Sequence, residues 1–366
     1  MGKYKFNPFT KTLDKVGLDL ANVPKGSILC FDGEKWTYLP PGEAGKILKA
    51  QGENNLPTWG ESESPGGPGG VAGYGFAEGG YSGSYLSDLD RYSDSNYTWS
   101  SRKDLISPSR RSLGGFSLGS NYGFAEMGMD SDGNTLKDCD KYSHSSDAWS
   151  NRQDSPDPAR IEVADFSLGS DYGYTSAGWG GAYLKDCDRY SDSGNSWSSR
   201  SDMPDPARRY LCGGFSLGND YGFVVGGRDS SGNKLKDCDR YTDSSNSWIG
   251  RTDLPSPARQ TSAIFSLEED YGFSAGGCDE YSNDMFDCNR YSNSNDSWSN
   301  RSDIPFPSRQ NLRGFSLGND NGFIEGGNGN GYLKDCDTYS NSNDSWSNRP
   351  DMPDPTRQAL AGFSLE

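Results

Sequence analysis

The chain holds one histidine among 366 residues, and no apolar run comes near the roughly 20 residues that a membrane-spanning helix needs. No signal peptide opens it. We therefore expect a protein made in the cytoplasm, with no helical membrane anchor and no histidine-rich metal centre. Apolar residues make up only 32%, but 48 glycines (48/366, about 13%) raise the total to about 45%. That share suffices for a core of short strands and tight turns.

Basic residues are also scarce. Lysine and arginine number 35 against 52 acidic residues, which gives a formal net charge of −17. Residues 1–70 contain eight lysines and eight acidic residues, so the whole excess falls on residues 71–366. An acidic surface repels phosphate groups, so we expect neither nucleic acid nor anionic membrane as a partner.

What the chain has in abundance is one pattern, written six times. Its clearest copy runs through Tyr221–Gly227, Leu235–Tyr241, Trp248 and Leu254–Arg259. The tryptophan recurs at steps of 50, 48, 51, 50 and 48 residues, with a tyrosine seven residues before it each time. The six tryptophans are Trp99, Trp149, Trp197, Trp248, Trp298 and Trp346. A fixed period near fifty predicts one small unit stacked repeatedly.

Each copy predicts four strands, separated by the Gly, Asn, Asp and Ser clusters typical of tight hairpins. In the fourth copy they are Tyr210–Leu217, Tyr221–Gly227, Leu235–Tyr241 and Ser247–Arg251. A four-stranded meander repeated six times predicts an all-β fold, a six-bladed β-propeller over residues 71–366.

The pattern resembles the kelch repeat, with a Gly-Gly pair ending strand two, a spaced Tyr and Trp, and Pro and Arg before the next unit. It departs from that repeat at Met127-Gly128 and Ala177-Gly178, where the first glycine is missing. We expect those two blades to be slightly less tightly turned.

The phase of the repeat predicts how the ring closes. The first copy begins at strand two, with Gly73–Gly80, and the sequence ends on a strand one, within Gln358–Glu366. The two fragments complement each other. We therefore expect the C-terminal strand to complete the first blade and to remove an open sheet edge.

Several polar residues repeat as faithfully as the tryptophan, and such uniformity favours packing between blades over catalysis. Five cysteines share one position, where the first copy has Leu89, and this exchange predicts free thiols in a small buried slot. The cysteines are Cys139, Cys187, Cys238, Cys288 and Cys336. The recurring arginines are Arg110, Arg160, Arg208, Arg259, Arg309 and Arg357, and a second series is Arg102, Arg152, Arg200, Arg251, Arg301 and Arg349. We expect structural ion pairs to the recurring Asp88, Asp138, Asp186, Asp237, Asp287 and Asp335.

The sequence gives little support to a catalytic function. A copper oxidase site would need several histidines, and the single His144 falls where other copies have a solvated turn residue. Asp192–Trp197 has the spacing of a sialidase Asp-box, but such turns are structural. Asp130–Asn134 has the composition of a calcium loop without its closing glutamate, which favours a turn. We predict no enzyme activity, no cofactor and no metal, and keep a sialidase-like glycosidase as an alternative.

The copies differ most between strands two and three, where the loops have 8, 10, 8, 10, 10 and 8 residues. All six loops must project from one face of the ring. Varied charges and aromatics on loops held by a rigid scaffold are typical of a recognition surface. The candidate ligand-binding residues are Asp130, Asp132, Trp179, Arg228, Asp229, Glu280 and Tyr281.

Residues 1–60 lie outside the repeat and predict a small β module, with a hairpin over Gly26–Pro41. Residues 61–70 have the composition of a flexible linker. Phe6–Asp14 is similar to the start of many tailed-bacteriophage structural proteins, and the following Asp-Gly-x-x-Trp, Leu-Pro-Pro-Gly, Gly-x-x-Leu and Pro-x-Trp series resembles a short module of phage fibres. The resemblance implies a virion anchor, for which we select Phe6, Asn7, Pro8, Phe9, Leu13 and Asp14.

The sequence thus predicts a phage virion structural protein, a fibre or appendage, whose propeller binds a host-surface glycan or protein. A non-adhesive decoration of the capsid, neck or tail is the alternative. Residues 1–60 would bind other virion proteins, or associate with copies of themselves as a homo-oligomer.

Overall fold

The computed structural model describes residues 73–210 and 213–366, together with the backbone of six short strands between residues 6 and 61. The chain divides into two compact units, residues 1–68 and residues 69–366. The finer boundaries at residues 60 and 70 remain predictions.

The N-terminal strands form three antiparallel pairs, β1 with β2, β3 with β4, and β5 with β6. Their bounds are β1 Phe6–Asn7, β2 Thr12–Leu13, β3 Ile28–Phe31, β4 Trp36–Leu39, β5 Lys46–Lys49 and β6 Thr58–Glu61. The pair β3–β4 is the predicted hairpin. Of the proposed anchor residues, Phe6, Asn7 and Leu13 lie in β1 and β2, whereas Pro8, Phe9 and Asp14 lie outside the described residues, as do residues 62–70.

The second unit is a six-bladed β-propeller in which every blade is a four-stranded antiparallel meander. Blade 1 contains β7 (Tyr74–Glu78), β8 (Leu89–Ser93), β9 (Thr98–Ser101) and β34 (Ala361–Leu365). Blade 2 contains β10 (Gly114–Leu118), β11 (Tyr122–Glu126), β12 (Cys139–Ser143) and β13 (Ala148–Asn151). Blade 3 contains β14 (Ala164–Leu168), β15 (Tyr172–Ser176), β16 (Cys187–Ser191) and β17 (Ser196–Ser199).

The remaining blades repeat this plan, with two short ribbons added between them. Blade 4 contains β19 (Gly213–Leu217), β20 (Tyr221–Val225), β22 (Cys238–Thr242) and β23 (Ser247–Arg251). Blade 5 contains β25 (Ala263–Leu267), β26 (Tyr271–Ala275), β28 (Cys288–Ser292) and β29 (Ser297–Arg301). Blade 6 contains β30 (Arg313–Leu317), β31 (Asn321–Glu325), β32 (Cys336–Ser340) and β33 (Ser345–Arg349). The ribbons pair β18 (Arg208–Arg209) with β21 (Arg228–Asp229), and β24 (Arg259–Gln260) with β27 (Cys278–Asp279).

The ring closes as predicted. The C-terminal strand β34 pairs with β7 in antiparallel register, with Ala361 opposite Glu78 and Leu365 opposite Tyr74. The first strand of each blade contacts the first strands of both neighbouring blades all the way round. Both ends of the repeat region therefore share blade 1, and this blade has four strands like the other five.

The strands predicted for the fourth copy differ from the structure mainly in length. Strand four coincides with β23, whereas the predicted Leu235–Tyr241 becomes Cys238–Thr242. Leu235 instead donates its backbone N–H to Gly227 O at 2.9 Å and so belongs to the preceding loop. Hydrophobic alternation continues into that loop, which is why the sequence alone extends the strand.

Neighbouring blades interlock through glycine and phenylalanine. The glycine of each Tyr-Gly-Phe or equivalent stretch in strand two leaves space for the strand-one phenylalanine of the blade before it, and a Cβ there would overlap the ring. The pairs are Gly75 with Phe315, Gly123 with Phe363, Gly173 with Phe116, Gly222 with Phe166, Gly272 with Phe215 and Gly322 with Phe265. Each phenylalanine is at least 96% buried, which stabilises the ring by about 1.5–3 kcal/mol per residue.

The first arginine series is fully buried, and each arginine binds the third strand of the blade that follows it. Arg110 contacts Asp140 at 2.5 Å, while Asp138 is 4.0 Å away. The equivalent pairs are Arg160–Asp188, Arg208–Asp239, Arg259–Asn289, Arg309–Asp337 and Arg357–Asp90. The predicted partners, Asp88 and its equivalents, are thus wrong by two residues. Each predicted aspartate comes directly before strand three and not within it, and the side chain of Asp138 is 39% exposed.

Tryptophans and thiols occupy equally uniform positions. Each repeated tryptophan donates its indole N–H to a backbone carbonyl of the preceding blade at 2.8 Å. In four blades a second-series arginine donates to the tyrosine hydroxyl of the next blade, as Arg200 does to Tyr241. The five repeated cysteines are 99% buried and free, which confirms the predicted slot.

The two blades that lack the first glycine of the pair are turned as tightly as the others. Met127 and Ala177 both have φ of 58°, against 57° to 66° for Gly79, Gly226 and Gly276. The expectation of a looser turn is therefore wrong. The backbone keeps its left-handed conformation there at a cost of about 1–2 kcal/mol for a residue with a side chain.

Candidate functional site

One face of the propeller carries the varied residues. We call it the loop face and define it by the connections from strand two to strand three and from strand four to the next blade. Backbone bridges join the two kinds of connection, as between Ile161 and Trp179 or between Arg111 and Met129. The predicted loops and the links between blades therefore form one continuous surface.

Six equivalent residues surround the axis on this face, and we call them the axial ring. They are Ser112, Glu162, Tyr210, Thr261, Asn311 and Ala359. All six have φ between 51° and 58°. Five backbone hydrogen bonds of 2.8–3.2 Å connect them round the axis, including Thr261 N–H to Tyr210 O and Ala359 N–H to Asn311 O. The backbone of the ring is thus uniform, while each of its six side chains is of a different type.

The axial ring borders a cavity of about 70 Å³, large enough for at least one water molecule. Its wall includes the apolar Leu113, Val163, Leu312 and Leu360, and its floor includes Arg313. The Arg313 guanidinium crosses the channel and donates to Asp165 Oδ2 at 3.3 Å and to Gly115 O at 3.4 Å. A ligand entering from the loop face therefore meets a closed, polar floor.

Glu162 is the acidic member of the axial ring. Its side chain is 13% exposed, and its Oε2 lies 3.6 Å from Arg209 Nε. Burial raises the pKa of the carboxyl to about 7, although Arg209 and Arg111 favour the charged form and Tyr210 hydrogen-bonds to it. Near neutral pH this group can therefore accept or donate a proton.

Aromatic rings hold the neighbouring arginine in place. The Arg209 guanidinium carbon lies 5.6 Å from the ring centroid of Trp179, 5.2 Å from that of Tyr183 and 4.4 Å from that of Tyr210. Cation–π contacts of this kind are each worth about 0.5–1 kcal/mol at exposed sites. We call Trp179, Tyr183 and Arg209 the blade-3 site. It adjoins the axial cavity through Glu162 and Tyr210.

Three fully buried glutamates, Glu78, Glu126 and Glu325, end strand two in blades 1, 2 and 6. Gly115 and Gly362 leave them room, since a Cβ at either position would approach a glutamate oxygen at 2.8 or 3.0 Å. Burial raises the pKa of all three carboxyls well above the usual range. Burial therefore favours the protonated form of these three carboxyls.

The predicted ligand residues divide into two groups. Asp130 and Asp229 fold their own hairpins, since each carboxylate accepts backbone N–H groups two and four residues ahead at 2.8–3.0 Å. Asp279 does the same in blade 5. Asp132, Glu280 and Tyr281 stand exposed at hairpin tips, and Trp179 and Arg228 are half-buried. The structure brings Trp179 into the blade-3 site, whereas the hairpin-tip residues lie on blade 2, with Asp132, and on blade 5, with Glu280 and Tyr281.

Blade 5 presents apolar side chains where other blades present ion pairs. Phe286 and Phe306 are 37% and 83% exposed, and Tyr281 is 78% exposed. The positions equivalent to the two phenylalanines form the ion pairs Lys137–Asp157, Lys185–Asp205 and Lys334–Asp354, at 3.1–3.4 Å. The outer loop face thus varies from blade to blade as the axial ring does.

His144 is not the solvated turn residue that the sequence predicts. Its ring centroid lies 4.7 Å from that of Tyr74 and 5.8 Å from that of Phe76, on the neighbouring blade. Burial lowers its pKa. Over residues 73–210 and 213–366, no group of three His, Cys, Asp or Glu side chains is arranged to hold a metal ion.

Sequence reasoning missed Glu162, Arg209, Tyr210 and Arg313. The signal for Glu162 and Tyr210 was present, because the axial ring always falls two residues after the first-series arginine, and Arg209 occupies the position just before Tyr210. Arg313 lies four residues after Arg309, at a position where the other copies have an apolar residue or glycine. A comparison of the copies at those offsets would have found them.

No protein-family model and no curated protein matches the chain. One solved structure, described as "Structure of YjhT", aligns with a TM-score of 0.61 over 79% of this chain and 99% of the other, at 13% sequence identity. That likeness shows the propeller fold alone. Within the described part of the chain, no helix could cross a membrane.

Proposed function

We propose that this chain is a bacteriophage virion appendage protein whose kelch-type propeller binds a host-surface glycan through the loop face. The observation that carries the binding role is the axial ring, where six positions with the same backbone conformation hold six different side chains at a cavity with both apolar and polar lining. The virion role is supported by the resemblance of Phe6–Asp14 and the following short motifs to phage fibre proteins. Residues 1–60 would attach the chain to other virion proteins.

The chemistry of the site favours a glycan over a protein. The cavity is small, and its lining offers both hydrogen-bond acceptors, such as Glu162, and donors, such as Arg313. Arg209 lies beside the cavity, with its Nε 3.6 Å from Glu162 Oε2. Sugar hydroxyls need both kinds of partner. Half-exposed aromatic rings, such as Trp179 and Tyr183, add the apolar surface on which a sugar ring can pack.

Binding of the full chain to a glycan array and to whole host cells tests the proposal. We expect the wild type to bind and Arg209→Gln to bind at least tenfold more weakly. Glutamine is chosen because three other links between blades have glutamine at the same position. Glu269→Gln removes an exposed charge in the turn between β25 and β26, at the opposite end of the strands from the loop face. It is the control and should bind like the wild type. A blank array together with unlabelled cells would instead favour the non-adhesive decoration, and binding to a cell-surface protein alone would replace the glycan as ligand.

The anchor is tested separately. Phage particles assembled with residues 71–366 alone should lack the protein, whereas particles with the full chain should retain it. Retention of the truncated chain would refute the role of residues 1–60.

A carbohydrate-active enzyme is the second candidate, and one observation favours it. Glu162, with a pKa of about 7, lies beside Tyr210 and Arg209 at the cavity, and perturbed acids in a cleft are typical of active sites. Turnover of capsular polysaccharide or sialosides that is lost in Glu162→Gln would establish this function. No turnover with either substrate would leave Glu162 as a binding residue.

A further inference from the structure

We infer that the loop face carries a second sugar-binding site, equivalent to the blade-3 site, and that the two sites hold repeating units of one uncharged polysaccharide. The second site consists of Tyr81, Tyr85 and Arg111, and we call it the blade-1 site. This inference rests on the proposed function, since it names the class of ligand and the number of sites.

The two sites have the same construction. An aromatic residue follows strand two, a tyrosine four residues later bridges back to it, and the next link supplies the arginine. In the blade-1 site the Arg111 guanidinium carbon lies 5.0 Å from the Tyr81 ring centroid and 5.3 Å from that of Tyr85. The corresponding distances in the blade-3 site are 5.6 and 5.2 Å.

The other blades do not repeat this set. Their equivalent residues are Met129, Thr135 and Ile161 in blade 2, Arg228, Lys234 and Gln260 in blade 4, Cys278, Asp284 and Gln310 in blade 5, and Asn328, Tyr332 and Gln358 in blade 6. All six blades pack into the ring in the same way, so ring closure does not require these two aromatic residues and the arginine. The presence of this set in two blades therefore points to a ligand.

The arginine at the blade-1 site keeps its donors available. Among the described residues, no hydrogen bond or ion pair reaches the Arg111 guanidinium, which lies over the two tyrosine rings and is close enough to Glu162 to favour its charged form. The glutamine at the same place in blade 6 is engaged, because Gln358 Oε1 accepts from Asn311 at 3.2 Å and Asn328 at 3.3 Å. A guanidinium fixed between rings with free N–H groups is prepared to bind oxygen atoms of a ligand.

The negative net charge of the propeller indicates whether these ligand oxygens belong to an anionic or to a neutral sugar. The propeller carries the whole net charge of −17, and Glu162 lies beside the blade-3 site. A surface of this charge repels a polyanion. Hydroxyl groups of a neutral sugar suit both arginines, and a polymer presents the same group repeatedly. Simultaneous contact with two sites can raise avidity by 10²–10⁴.

Side-chain Nε–Hε signals of Arg111 and Arg209 in the full chain, assigned with Arg111→Gln and Arg209→Gln, test the inference. The probes are the methyl glycosides of glucose, galactose and mannose, with methyl glucuronide and glucose 6-phosphate as charged counterparts. We expect one neutral probe to shift both signals, with dissociation constants within about threefold of each other. Each variant should lose one site and leave the other unchanged, and Glu269→Gln, in the turn between β25 and β26, should keep both.

The outcomes separate this inference from the proposed function. A shift at Arg209 alone would overturn the second site, and tighter, salt-sensitive binding of the charged probes would overturn the uncharged class. If neither signal moves while the full chain binds cells or the array, the inference fails and the proposed function stands. If the array and cells are also blank, both fail. With the matching polysaccharide, either variant should weaken binding at least tenfold, and an unchanged affinity would refute simultaneous contact.

Discussion

The body of each blade and its loop face follow opposite rules. In the body, six tryptophans make the same 2.8 Å hydrogen bond to the preceding blade, and six buried arginines bind the same strand position. On the loop face, six axial-ring residues share one backbone conformation and no side-chain type. Repetition within one chain thus separates what ring closure requires from what it leaves free.

Breaking a buried arginine pair should have the largest effect on the body. We expect Asp239→Ala to lower the free energy of unfolding by about 3–5 kcal/mol, because Arg208 would remain buried without its partner. Asp239→Asn should cost less, since blade 5 pairs Arg259 with Asn289 at 2.8 Å. Urea unfolding of both variants checks the order. Equal losses would show that the pair depends on charge and not on the hydrogen bond.

Filling the space between two blades should have the second-largest effect on stability. Gly222→Ala would place a Cβ against the Phe166 ring, and overpacking of this kind costs about 1–3 kcal/mol. Gly218→Ala is the matched control, because a Cβ there meets nothing within 4 Å and only the φ of 63° opposes it. Urea midpoints should fall more for Gly222→Ala, and the reverse order would contradict the interlock.

The buried glutamates predict a stability that declines as pH rises. Glu78, Glu126 and Glu325 take up protons on folding because burial raises their pKa. Their contribution is therefore complete below the unfolded pKa near 4.5 and is lost above it, by at most about 1.4 kcal/mol per pH unit for each proton. Replacing all three by glutamine should make the free energy of unfolding, measured with urea between pH 5 and 8.5, depend less on pH. An unchanged slope would mean that the native state holds these groups charged.

The loop face should show the smallest effect on stability and a large one on binding. We expect Trp179→Ala to lower the free energy of unfolding by no more than about 1 kcal/mol, since it removes the cation–π contact with Arg209. The same change should weaken glycan binding by at least tenfold. Trp197→Ala should do the opposite, because it removes the indole hydrogen bond to Gln153 O. Thermal melts and binding curves of the two variants test the contrast. Equal losses of stability in Trp179→Ala and Trp197→Ala would contradict the contrast between the loop face and the body of the blade.

The sequence predicts the body well because the body repeats. The period of Trp248 and its equivalents yields six blades, and the incomplete first copy yields the closure by β34. The partner of Arg110 was placed two residues early because Asp138 and Asp140 recur equally and only the strand's position decides which points inward. The axial ring escaped notice for the opposite reason. Glu162 and Tyr210 share no residue type, although each follows a first-series arginine by two residues, and only the closed ring brings them to one cavity.

The protected thiols have a consequence for durability. Burial raises the pKa of the Cys187 thiol to about 12 and those of Cys139, Cys238, Cys288 and Cys336 also above the ordinary value. Oxidation proceeds through the thiolate, which is nearly absent at such positions. These five thiols should therefore resist oxidation in air, and the ring is closed by strand pairing without a disulfide between them.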